Sequence, residues 1–269
     1  MRMCNKFVAT NLLLFISWIV VMESCRPSTK EVPVETVDTI AVDKEQFNEE
    51  AYMQEVTAKR LAARNIALAH IQEDQFFMKT DSFEVSIKNH FNKHVKTVKA
   101  ITFHYFDRYT DIYQIVDDTI STLLEAESTC TYTDTIFDVN DDGLADLLIY
   151  HSSLNGCCRR EIFDTYLQKP DGTFNEMIDL MNPVFSPKEK VIRGLAYGHD
   201  HTLYKFKWKG FTLDTIEYIH PPTDNAATYV IRTNKYDDLT KGDTLPTLPK
   251  EYLHLIQNLN TFTESLNND

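Results

Sequence analysis

The sequence predicts a mainly β fold of antiparallel sheets, propeller-like or arranged as a sandwich or barrel, with an N-terminal helix and a short C-terminal helix. Three observations carry this expectation. Between residues 83 and 233, ten short runs are rich in Val, Ile, Thr, Tyr and Phe, and alternate apolar with polar positions as half-buried strands do. Turn-forming residues separate them, and so many strands in one stretch favour antiparallel sheets over βαβ units. Residues 44–79, by contrast, contain neither glycine nor proline and are dominated by strong helix formers. Glycine numbers only 7 in 269 residues, which disfavours a long array of tight-turned repeats.

In chain order, Arg2 and Lys6 precede an apolar run from Phe7 to Met22 that is interrupted by Thr10, Asn11 and Ser17. A bilayer span takes about 20 apolar residues, so this run is short. A positive start, a short apolar core and a small residue before a cut describe a secretory signal over residues 1–24. The sequence Met22-Glu23-Ser24-Cys25 resembles the lipobox of bacterial lipoproteins, with Met22 for the usual leucine or valine and an uncommon Glu23. That resemblance implies a diacylglycerol-modified Cys25 as the mature N-terminus, anchored to a membrane rather than spanning it. The competing reading is an uncleaved apolar anchor. Either way the expected location is the bacterial cell envelope, at the periplasmic face or the cell surface. Residues 25–42, with Pro27, Pro33 and mixed charges, read as a flexible tether.

A single β-rich domain is expected over 43–269, opened by a helix at 44–79. Asp43 is a candidate N-cap, and Glu45, Glu49 and Glu50 suit the positive helix end. Glu55 and Lys59 are four apart in the favourable orientation. Tyr52, Val56, Ala63, Ile66 and Ala67 make a loose apolar face broken by Lys59, so the helix should lean on the outside of the domain. Strands are expected at 83–88, 97–106, 111–117, 132–138, 146–151, 161–168, 189–196, 202–208, 212–219 and 228–233. Turns fall at Pro170-Asp171-Gly172 and Lys209-Gly210. A short helix is expected at 120–127 and a closing one at 249–260.

One segment carries specific chemistry. Residues 136–150 read IFDVNDDGLADLLIY, with oxygen-bearing side chains at Asp138, Asn140, Asp142 and Asp146 and a glycine at 143. Calcium takes several hard oxygens, and a tight loop supplies them from alternate residues where a glycine permits the bend. The Leu144 carbonyl falls at the seventh position. An EF-hand would place a bidentate glutamate where Ile149 stands, so this is not one. The loop resembles the DxNxDGxxDL calcium loop of FG-GAP and VCBS-type modules. The resemblance implies Asp138, Asn140, Asp142 and Asp146 as ligands, joined by the Leu144 carbonyl, on a loop between two antiparallel strands. A single copy does not support a full propeller of such blades. The competing reading is an Asx-rich hairpin turn without metal. A bound cation is favoured because three converging carboxylates repel one another, and its expected role is structural.

Asn182-Pro183, a strand near 190 and the hairpin KFKWKGFTL at 205–213 extend the likeness to periplasmic lipoproteins with one such loop. Some of those are immunity proteins that block cell-wall lysozymes.

Other constellations weigh less. Folding about residues 142–143 brings Cys130 near position 155, so a disulfide to Cys157 or Cys158 is geometrically reasonable in an oxidising compartment. His90 and His94 would share a face only on a helix. His199-Asp200-His201 reads as a polar turn, with a hydrolase site as the alternative. Adjacent acids such as Asp117-Asp118 and Asp237-Asp238 read as solvated turns. No GxSxG, phosphate loop or dinucleotide fingerprint occurs. The formal net charge of −13 argues against nucleic acid as a partner. The expected function is therefore non-enzymatic: a membrane-anchored envelope lipoprotein that binds a protein partner and is stiffened by calcium. The alternatives are an inhibitor or immunity protein against a peptidoglycan hydrolase, and a hydrolase centred on His199–His201.

Overall fold

The structure, a computed structural model, describes residues 48–152, 161–196, 202–222, 228–233 and 242–255. Helix α1 spans Glu49–Ala69 and is capped by Asn48, whose Oδ1 accepts from the Ala51 N–H at 3.1 Å. Asp43, the expected cap, lies outside the described residues. The helix is also shorter than 44–79. After Ala69 the His70 ring pairs with Glu73 (2.6 Å) and stacks on Phe76, closing a turn. Strand β1 (Phe76–Lys79) follows, because the aromatic pair Phe76-Phe77 fits a pleated edge better than a helix end.

Strands β1, β2 (Phe83–Asn92), β3 (Val95–His104), β4 (Asp107–Val116) and β5 (Thr119–Thr129) form the first sheet in chain order, each antiparallel to the next. β5 occupies the stretch expected to be a helix at 120–127. Its Leu-Leu-Glu-Ala centre favours a helix locally, but pairing with β4 along almost its whole length overrides that preference. Asp117 and Asp118, both at positive φ (46° and 60°), make the two-residue turn between them.

The second sheet is β6 (Thr131–Phe137), β7 (Asp146–Ser152), β8 (Glu161–Tyr166) and β9 (Ile178–Met181). The third is β10 (Val184–Ser186), β11 (Val191–Leu195), β12 (Leu203–Lys209), β13 (Thr212–His220), β14 (Tyr229–Arg232) and β15 (Asp243–Leu245). All three are open meanders, and no closed barrel or propeller is present among the described residues. The closing helix is described only as a short turn at Lys250–Tyr252 and the residues up to Leu255.

The cores follow from these layers. Ala63, Ala67 and Ile71 of the α1 region pack on Val85, Ile87, Val98 and Ala100, so the helix covers the outer face of sheet one. The inner face, through Phe91, Ile112 and Ala126, meets Leu147, Ile149 and Tyr166 of sheet two. The other face of sheet two, through Leu148 and Leu180, meets Ile192, Tyr204 and Trp208 of sheet three. Strand β7 is thus buried on both faces. That is the physical reason its sequence, Leu147-Leu148-Ile149, is a continuous apolar run rather than an alternating one.

Polar groups pin the layers. Asp107 accepts from the Tyr52 hydroxyl, and Arg60 makes two bonds to the buried Asp111, at 2.6 and 2.9 Å. Lys59, which interrupts the apolar face, bonds the Phe103 carbonyl and His104 Nδ1. Between sheets one and two, Asp134 of β6 accepts from Lys99 (2.6 Å) and Arg108. Burial alone would raise its pKa, but the two cations hold it below the usual carboxylate value.

Candidate metal loop

The β6–β7 hairpin pairs from Thr131↔His151 to Phe137↔Asp146, leaving residues 138–145 as its loop. Asp141 and Gly143 take positive φ (55° and 90°), so the chain bends where the sequence places its glycine. The loop side chains turn inward onto their own backbone. Asp138 accepts from the N–H groups of Asp142 (3.1 Å) and Gly143 (2.8 Å). Asn140 Oδ1 accepts from Asp142 N–H at 3.2 Å, and its amide donates to Asp142 Oδ2 at 3.0 Å. Asp142 Oδ1 accepts from Leu144 N–H at 2.9 Å.

Asp146 closes the arrangement. It is fully buried, and its two oxygens accept from Val139 N–H (3.0 Å) and Gln168 N–H (2.9 Å). One carboxylate therefore ties the start of the loop to the segment after β8. Its pKa is pushed up to about 7, first by burial and then by the negative charges of Asp142 and Asp138, against the two backbone donors. Those charges act on Asp146 because the three carboxylates lie in one region. On the rim, Asp141 accepts from Lys188 at 2.7 Å, which holds its pKa below the usual range.

The donor set is chemically suited to calcium: three carboxylates, one amide oxygen and the Leu144 carbonyl, all hard oxygens on one bend. The carboxylates are at present committed to N–H donors. Among the described residues, no three acidic, histidine or cysteine side chains are gathered tightly enough to hold a metal ion as they stand.

The remaining expected residues divide in two. His90 and His94 are not a ligand pair: His90 lies on β2 between Ser86 and Thr97, bonded at 2.9 and 3.0 Å, and His94 sits in the exposed β2–β3 turn. Cys130 is half-buried at positive φ in the turn between β5 and β6, and its carbonyl accepts from Ser152 N–H at 3.4 Å. It thus stands opposite position 152 rather than 155, because the hairpin folds about residues 141–142 rather than 142–143 and β6 shifts register between Thr131 and Thr133. Cys157, Cys158, the His199–His201 group, Asp237-Asp238, Cys25, the segment 1–24 and the tether 25–42 lie outside the described residues.

Sequence reasoning missed the Gln168 donor to Asp146, the Lys188–Asp141 pair and the inter-sheet Asp134 bridge. All three join residues more than twenty positions apart, and no local pattern encodes them. Comparison with known protein families, characterised proteins and solved structures finds no match to this chain.

Proposed function

We propose that this chain is an envelope lipoprotein, held to a membrane through Cys25, whose β domain serves as a binding module stiffened by a calcium ion at the 138–146 loop. The observation that carries the metal reading is Asp146: a carboxylate with no solvent exposure, flanked by two more of the same charge. Burying such a group costs free energy that a divalent cation offsets. Asp138, Asn140, Asp142, Asp146 and the Leu144 carbonyl would hold the ion. The ion would supply positive charge only; these residues do the rest, fixing the β6–β7 bend against the Gln168 segment.

Calorimetric titration of the chelator-treated protein tests this, together with melting curves in calcium and in chelator. A ligand at a hundredfold excess over its Kd stabilises by about 2.7 kcal/mol, so calcium should raise the melting temperature by several degrees. Asp142→Ala should remove that increment. Equal melting with and without chelator, and no heat of binding, would end the metal reading.

A further inference from the structure

The two most exposed large apolar side chains among the described residues are neighbours: Tyr105 is 82% and Phe106 is 77% exposed. They form the two-residue turn between β3 and β4, where His104 pairs with Asp107. Tyr105 takes φ 53°, a left-handed conformation that glycine or asparagine adopts with less strain. Two aromatic rings in so tight a turn are costly to the fold in isolation, both in backbone strain and in exposed apolar surface.

The place of this turn identifies what would cover it. The start of α1 lies directly alongside, since Tyr52 stacks on Tyr105 with ring centroids 6.1 Å apart and its hydroxyl bonds Asp107. Asn48 is one helical turn before Tyr52. The chain therefore enters the domain at this turn, and what precedes it in sequence is the apolar run Phe7–Met22 with Cys25. The acidic loop is at the opposite end. Cys130 N–H donates to the Phe106 carbonyl, and the seven residues of β6 then lead away to Asp138, roughly 23 Å at strand rise.

We infer that Tyr105 and Phe106 are seated in the headgroup–acyl boundary of the membrane that holds the N-terminal segment. The inference rests on the anchored reading above. Aromatic rings suit that boundary, with an apolar body and, for tyrosine, a hydroxyl at the wet side. Two rings do not anchor a protein alone. On a domain already held at high local concentration they suffice to orient it, turn toward the bilayer and acidic loop away. Glu49 and Glu50 open α1 and Asp107 follows the turn, while Lys59 bonds the Phe103 carbonyl and His104 beside it, so no cationic patch is gathered there and the surface it fits is zwitterionic lipid.

The test uses the processed chain, beginning at lipid-modified Cys25, in phosphatidylcholine vesicles with bromine near the glycerol end of one acyl chain. Phe106→Trp and Met177→Trp are compared with the parent, in which Trp208, downstream of Cys25, sets the common baseline. Met177 is 50% exposed and precedes β9 at the acidic-loop end. The indole introduced at 106 should lose emission on brominated relative to unbrominated vesicles and shift to the blue; that at 177 should do neither. Co-floating chains whose indole at 106 keeps its full emission would overturn the seating alone, as they would if a second copy of the chain covered the turn. A chain that fails to float with vesicles would overturn the anchor and the seating together.

Discussion

At the scale of single residues, two buried titratable groups pull stability in opposite directions with pH. His90 has its pKa lowered to about 4 by burial, with Lys99 and Lys88 adding repulsion. Its folded value is below the unfolded one, so its contribution is complete above about pH 6.5 and is lost as pH falls toward 4. Asp146, with its pKa raised to about 7, behaves in the reverse sense. Its contribution is complete below the ordinary carboxylate value and is lost as pH rises through 7. Each tenfold change in proton affinity is worth about 1.4 kcal/mol, so both effects are measurable. Both windows lie between about pH 4 and pH 7, so in urea midpoints taken across this range in chelator His90→Gln should make stability fall more with rising pH than in the parent, and Asp146→Asn should make it rise more. Slopes identical to the parent's in both variants would mean that neither group's proton affinity differs between the folded and unfolded states. Calcium, by favouring ionised Asp146, should lessen the loss of stability that this group causes as pH rises toward 7 in the parent.

At the scale of elements, the third sheet depends on one missing side chain. Gly194 of β11 lies opposite Tyr204 of β12, and a Cβ at 194 would fall 2.3 Å from the tyrosine ring. Tyr204 is almost fully buried and its hydroxyl bonds the Met181 carbonyl, so the ring has little room to yield. Gly194→Ala should cost about 1–3 kcal/mol by overpacking, read as a fall in denaturant midpoint with unchanged slope. A variant as stable as the parent would show that β12 shifts freely.

The same scale shows what the sequence could disclose. Strands β2, β3, β4, β6, β8 and β11 to β14 announce themselves through alternation and β-branched or aromatic residues, β7 through its short apolar run, and the turns at Gly172 and Gly210 through residues that accept positive φ. Strands β1 and β5 were hidden by helix-forming composition, since Met78-Lys79 and Leu123-Leu124-Glu125-Ala126 give no local hint of their partners. Strands β9, β10 and β15, of three or four residues, are too short to establish a period. The acidic loop was legible as a constellation because its spacing is local. Its anchoring to Gln168 and Lys188 was not, because those partners arrive from later in the chain.

For the whole molecule, the middle sheet is the common wall of two cores, and Leu148 of β7, fully buried, faces the third sheet while its neighbours Leu147 and Ile149 face the first. Leu148→Ala should destabilise by about 2–5 kcal/mol. Because β7 shares its strand with the other core, fluorescence and circular dichroism should still report one coincident transition. Two separated transitions would show that the layers unfold independently. The chain order of the strands bears finally on how this arrangement is reached. Every hydrogen-bonded neighbour in the three sheets is also the next strand along the chain. Ladders of this kind close short loops only, and short loops form early and fast. The first sheet can be complete as soon as Thr129 is free to pair, with α1 already on its outer face; its inner face then offers an apolar template on which β7 settles. Each meander can therefore pair from local contacts alone, and the docking of β7 between the first and third sheets is the step that joins them.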